Sequence, residues 1–207
     1  MLYVIFVKCV QIRAVYFRGR LDMVKLLIAS GANTHSRTDV PRKTPMQLAA
    51  AGGHIDVLDE LVKKGMNWKE KDDWGWTLLH EVAASGDAEG IKWVSTRSRG
   101  LANVQDKLGR TPLLTALIAG AGADAVSELL NHGEDPGMED EVGRTSAEAA
   151  ILYCSAEVVE IIMDAISKKN ESLVDREDKI EVDYEKLNML AEDHAEMEKV
   201  KLILKKC

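Results

Sequence analysis

Apolar residues in this chain return in doublets, Leu26-Leu27, Leu61-Val62, Leu129-Leu130 and Ile161-Ile162. Each doublet belongs to a longer face, as in Ile55, Val57, Leu58, Leu61 and Val62, or Val158, Val159, Ile161 and Ile162. That spacing predicts amphipathic helices with one buried side. Ahead of each lies a shorter run of small residues (Ala49-Ala50, Ala83-Ala84, Ala116, Ala149-Ala150), which predicts a first helix lying close against its neighbours. Gly53, Gly86 and Gly120 free the chain to turn between the two helices, and Gly31, Gly65 and Gly133 close the second, where a left-handed cap costs least. Thr44 and Thr111 are suited to cap the short helix, with Pro45 and Pro112 at its first position, where a missing N–H loses no intrahelical bond.

The unit repeats. Threonine stands at 44, 77, 111 and 145, in steps of 33, 34 and 34 residues, and Asp39, Asp72, Asp106 and Asp140 keep the same steps. Composition alone does not hold two residue types in register over four copies. The stretch Asp106-Lys107-Leu108-Gly109-Arg110-Thr111-Pro112-Leu113, continued through Ala116 and Gly120 to Leu129, Leu130 and Gly133, resembles one ankyrin repeat. The resemblance implies an all-α solenoid of helix-turn-helix units joined by β-hairpin fingers.

On this frame residues 1–207 form a single repeat domain: a degenerate N-terminal unit 1–38, repeats 39–71, 72–105, 106–139 and 140–166, a charged insertion 167–182 and a C-terminal capping unit 183–207. In the first unit Gly19 takes the inter-helix position, with Gln11–Arg18 as first helix and Leu21–Ser30 as second. Met1–Val10 is too apolar for an exposed cap, and reads as a hydrophobic strap, a partner contact or part of a longer chain. Arg42 stands where the finger glycine is usual, Leu78 and Ser146 replace the proline, and Cys154 replaces an inter-helix glycine. In the second repeat Gly90 and Ser95 occupy apolar positions of the second helix, whose closing glycine is displaced to Gly100, so this helix is expected to be the softest part of the array.

Charge refines the picture. The net charge is −7, yet residues 1–43 hold eight basic side chains against Asp22 and Asp39, leaving 19 basic and 32 acidic residues in the remainder. An acidic body argues against a nucleic-acid groove along the array. Cys9, Cys154 and Cys207 are widely separated, have no metal-ligand spacing, and fit reduced thiols in a cytoplasmic or nuclear protein. Met1–Val10 lacks the basic start and small-residue cleavage site of a signal peptide, and no run approaches the roughly 20 apolar residues of a membrane span. Asn170-Glu171-Ser172 matches a glycosylation acceptor and, without a secretory signal, is taken as coincidence.

No catalytic constellation emerges from His35, His54, His80, His132 and His194: there is no metal-binding histidine pair, phosphate loop or nucleophile elbow, and no cofactor or metal is expected. The resemblance implies binding of a protein partner through finger tips and the concave face of the first helices, by a chain monomeric when unbound. It places Lys43, Trp76, Arg110 and Arg144 along the inner edge, and Glu81, Ser85, Thr115 and Tyr153 on the exposed side of the first helices. Trp68 and Trp93 read as packing, whereas Trp74 and Trp76 fall on positions that are normally polar and exposed. The residue before each finger glycine is Pro41, Trp74, Leu108 or Val142, an apolar column that either stacks to stiffen the fingers or docks a partner. The expected binding residues are Trp74, Trp76, Leu108, Val142, Arg110, Arg144, Glu81 and Tyr153. An adaptor, scaffold or inhibitor is the primary reading; a regulatory segment of a larger protein and an enzyme on a repeat scaffold are the rivals.

Overall fold

A computed structural model of the chain describes residues 15–31, 37–38, 41–173, 179–194 and 196–206. The Met1–Val10 stretch, residues 11–14 of the expected first helix, His35, Asp39 and Cys207 lie outside the described residues. After a helical turn at 15–17 come α1 (Leu21–Ala29), α2 (Pro45–Ala51), α3 (Ile55–Lys63), α4 (Leu78–Ala84), α5 (Ala88–Arg97) and a 3-10 turn at Arg99–Leu101. Then follow α6 (Pro112–Ile118), α7 (Ala123–Asn131), α8 (Ser146–Tyr153), α9 (Ala156–Ser172), α10 (Tyr184–Ala191) and α11 (Met197–Leu204).

The short helices stack as one layer, in the order α2, α4, α6, α8 and α10, and α5, α7, α9 and α11 stack behind them. Alanine makes this possible: Ala49, Ala50, Ala83, Ala116, Ala149 and Ala150 have no exposed surface. Behind them Val57, Leu61, Ile91, Val94, Val126, Leu129, Val158 and Ile162 form a continuous ribbon rather than a single centre. Across α3 and α5 long side chains make the tie: Trp93 meets Trp68 edge to face at 6.2 Å and donates Nε1–H to Asp59 at 2.9 Å.

Gly90 differs from expectation. It is buried, and a Cβ there would lie 3.1 Å from Val82 Cγ1 and 2.4 Å from Asp87 Oδ2, so glycine answers a close helix approach and not only a defect of propensity. The last long helix also differs. It runs six residues past Ile166, and Asn170 then binds the backbone of Ile180 in both directions, at 2.8 and 3.0 Å.

The second to fourth fingers are narrow hairpin turns, closed by backbone bonds from Asp72 N to Trp76 O, Asp106 N to Arg110 O and Asp140 N to Arg144 O at 3.0–3.3 Å, with Gly75, Gly109 and Gly143 N bonded back to the aspartate O at 3.0–3.1 Å. Gly75, Gly109 and Gly143 take φ of 84°, 73° and 73° at their tips, and Arg42 takes 58° in the first finger. In the first finger Thr38 N bonds to Lys43 O and Thr38 Oγ1 accepts from Lys43 N; Asp39, expected at the aspartate position, lies outside the described residues.

A non-glycine residue in the left-handed region costs about 1–2 kcal/mol, so Arg42→Gly should raise the melting temperature by roughly 2–4 °C. Gly109→Ala should lower it by at least as much, because the added Cβ would lie 2.7 Å from the backbone N of Glu141 as well as at positive φ. Deleting 183–207 should expose the surface now covered by Leu187, Ala191, Val200, Ile203 and Leu204, at a cost on the order of several kcal/mol. An unchanged melt and a monodisperse truncate would show this segment to be a tail.

Candidate protein-binding surface

The second, third and fourth fingers are each built on one carboxylate. Trp74 and Trp76 N–H both donate to Asp72 Oδ1 at 2.9 Å, Leu108 and Arg110 N–H to Asp106 Oδ1 at 2.8 and 2.9 Å, and Val142 and Arg144 N–H to Asp140 Oδ1 at 3.1 and 2.8 Å. Neighbouring tips are then laced by Asp73 N to Pro41 O, Lys107 N to Trp74 O and Glu141 N to Leu108 O, at 2.9–3.0 Å. The residues supplying those carbonyls are the apolar column. Trp74, Leu108 and Val142 are 50%, 54% and 78% exposed, and Pro41 is half-buried.

The roots of the fingers are held from the preceding repeat. Thr44 caps α2 with Gln47 in reciprocal bonds of 2.9 and 3.2 Å, and Gln47 Nε2 reaches forward to Trp76 O at 2.9 Å. His80 does the same one repeat later, accepting from Thr77 N at Nδ1 and reaching Arg110 O with Nε2 at 3.1 Å. This pairing requires the neutral Nε2–H tautomer, and burial pushes the His80 pKa down to about 4. Leu114 holds the corresponding place in α6.

Inside the fingers Trp76 becomes a hub. It stacks on His80 at 6.1 Å, meets Trp74 edge to face at 6.0 Å and donates Nε1–H to Asp106 Oδ2 at 3.0 Å. Arg110 clamps the same oxygen through Nε and Nη2 at 2.9 and 2.7 Å. Burial opposes ionisation of Asp106, but the Arg110 guanidinium and the backbone N–H groups of Arg110 and Leu108 outweigh it and hold the carboxyl below its ordinary value. Lys43 Nζ lies 5.3 Å from the Trp76 ring and 5.9 Å from Trp74, and 2.8 Å from both Glu81 oxygens, oriented to donate to Oε2.

The family profile described as ankyrin repeats (3 copies) matches residues 12–100 and 79–172. The chain belongs to the ankyrin-repeat family. It is 32% identical over 143 residues to neurogenic locus notch homolog protein 1 of Danio rerio, covering 67% of this chain and 6% of that protein. Against the protein of that name from Homo sapiens it is 32% identical over 138 residues, 64% of this chain and 5% of the relative. It is also 25% identical over 153 residues to phosphocholine transferase AnkX of Legionella pneumophila, 72% of this chain and 16% of that one. The chain thus spans a small fraction of these relatives.

Ankyrin repeats are a protein-interaction module, and the structure sorts the expected residues on this one. Trp74, Leu108 and Val142 stand exposed at the tips, and Tyr153 is 46% exposed on α8, with Arg144 Cζ 5.9 Å over its ring. Ser85 is exposed as expected. Glu81 and Thr115 are not on an exposed side: they are 2% and 4% exposed, and Glu81 lies against Lys43 of the preceding finger. Trp76, expected to be exposed, is half-buried by His80, Arg110 and Lys43. The Lys43–Glu81 pair was missed, although its separation of 38 residues, from the position before one threonine to the fourth after the next, is visible in the repeat frame.

Histidine elsewhere serves the backbone: His54 Nε2 pairs with Phe17 O at 2.9 Å and His194 Nε2 with Cys154 O at 2.7 Å. Among the described residues no group of three or more histidine, cysteine, aspartate or glutamate side chains is placed to hold a metal ion, and no helix is long and apolar enough to cross a membrane.

Two buried acids set the pH response. Burial raises the Glu81 carboxyl to about 7 against the pull of Lys43, and raises Glu134 to about 7 against the N–H groups of Asn103 and Leu113. Both folded values exceed the unfolded ones, so the native state holds extra protons and loses stability as pH rises from about 4.5 to 7. His80 acts oppositely, costing stability as pH falls from about 6.5 to 4. Denaturant midpoints across this range should therefore decline with rising pH, and Glu134→Gln should flatten the decline; an unchanged slope would show Glu134 to titrate normally.

Proposed function

We propose that this chain is a non-enzymatic interaction module, acting in the cytoplasm or nucleus as an adaptor, scaffold or inhibitor that is monomeric when unbound. The observation that carries the reading is the exposed apolar line Trp74, Leu108, Val142, held at the tips of three laced fingers. Contiguous exposed apolar side chains on rigid supports are unusual in a protein that keeps its surface to itself, and tryptophan is enriched where binding energy concentrates. Arg110, Arg144, Trp76 and Tyr153 flank the line, and Glu81 supports it from beneath. The rival reading, a regulatory segment of a larger enzyme, is favoured by one finding: a matched relative is named a phosphocholine transferase and is far longer than the aligned region.

Trp74→Asp with Leu108→Asp tests the tips. Affinity capture from native lysate should lose its specific partners while the melting temperature stays within a few degrees of the parent. A collapsed melt would show the line to be packing, and intact capture would place the interface elsewhere.

A further inference from the structure

The lacing of the fingers stops at the fourth. Pro41, Trp74 and Leu108 each give their carbonyl to the next finger, to Asp73, Lys107 and Glu141 N, but among the described residues no N–H donates to Val142 O. The glycines beside these carbonyls follow the same order: Gly75 is buried, Gly109 half-buried and Gly143 exposed. A Cβ on Gly75 or Gly109 would meet the backbone of the following finger, 3.1 Å from Lys107 N or 2.7 Å from Glu141 N. On Gly143 it would meet, among the described residues, only Glu139 Oε2, at 3.8 Å. Thr145 is half-buried, where Thr77 and Thr111 are 1% and 0% exposed. The stretch 179–183 that leads into α10 is tied to α9 instead, through Ile180 N to Asn170 Oδ1 at 2.8 Å. Beside the fourth finger lies a groove of about 980 Å³, bordered by Gly143, Thr145 and Ile166.

We propose that this edge docks an exposed basic loop of a protein partner, whose backbone N–H donates to Val142 O and so continues the lacing as a further finger would. The inference rests on the reading of the finger tips as a binding surface, and adds which edge is used and what chemistry meets it. Unpaired backbone groups at the end of such a ladder are a ready template for another chain. Charge selects the loop. Glu139, Glu148, Glu181 and Asp183 line the groove against Lys179 and Lys186. Lys186 already bonds Glu148 at 2.7 Å, and Asp183 caps α10. That leaves Glu139 and Glu181 against the one cation of Lys179. Among the described residues neither carboxylate makes a hydrogen bond or salt bridge, so both are placed to receive a lysine or arginine. Val142, 78% exposed, adds an apolar contact beside them.

The chain carries a sample of what fits such an edge, since residues 105–111 place Lys107 N–H on Trp74 O at 2.9 Å. A peptide of that sequence, acetylated and amidated, is the probe. Titrated into the full chain, it should shift the backbone amide signals of Val142, Gly143 and Thr145 saturably. Methylating the amide nitrogen of its Lys107 should abolish the shifts, and Lys107→Glu with Arg110→Glu in the peptide should weaken binding about tenfold or more. In the chain, Glu139→Lys should weaken binding by a similar factor and leave the melting temperature unchanged, with Glu139→Gln acting in the same direction. A folded chain with no saturable shift, or binding indifferent to the N-methyl group, overturns the proposal. So does a concentration-dependent dimer of the parent chain that Glu139→Lys dissolves, which would assign the edge to a second copy. If the peptide fails while Trp74→Asp with Leu108→Asp still loses partner capture, the finger-tip reading stands and only the edge falls.

Discussion

The array depends on how one repeat grips the finger of the next. A solenoid brings no distant segments together, so its stability is close to a sum over neighbours, and each interface must satisfy its own polar groups. In the first two complete repeats the grip is a polar side chain three residues after the capping threonine that reaches the carbonyl just before the next threonine, whereas the third has Leu114 at that place. Gln47 and His80 make that bond, while the apolar column supplies its backbone carbonyls to the following finger.

That requirement explains why so much polarity is buried in a helical stack. Thr44, Gln47, Thr77, His80, Asp106 and Thr111 lie almost wholly inside, each bonded to backbone or to a charged neighbour. Burying such groups costs little only while their partners are in place. Glu81 is the exception in kind: its single counter-ion comes from another repeat, so the protonation of one carboxyl is coupled to the position of one lysine. The most heavily aromatic part of the chain is therefore also the part whose charge balance is least local.

The same lattice separates a rigid support from an available surface. Asp72, Asp106 and Asp140 fix the tip backbone from within, so Trp74, Leu108 and Val142 are presented without having to order a loop first. A preorganised surface of this kind spends less of its contact energy on entropy when it engages a partner. The opposite flank is less regular. There α5 is joined to α3 through Trp93, Trp68 and Asp59, and Asn103 adopts a φ of 61° while pairing with Gly133 and Asp135.

Periodicity in the sequence settled the helices, the caps at Thr44 and Thr111, the glycine turns and the exposed apolar column, because each follows from local backbone preference or from a face repeating at fixed spacing. It was equally sufficient for the family. What it left open are relations between repeats. Whether Glu81 faces solvent depends on where the finger of the preceding repeat lies, and whether Gly90 weakens its helix depends on how near Val82 comes. Local sequence fixes what each repeat is; only the packed stack decides which of its polar side chains meet a partner across the boundary, because those bonds join residues some 30 to 40 positions apart.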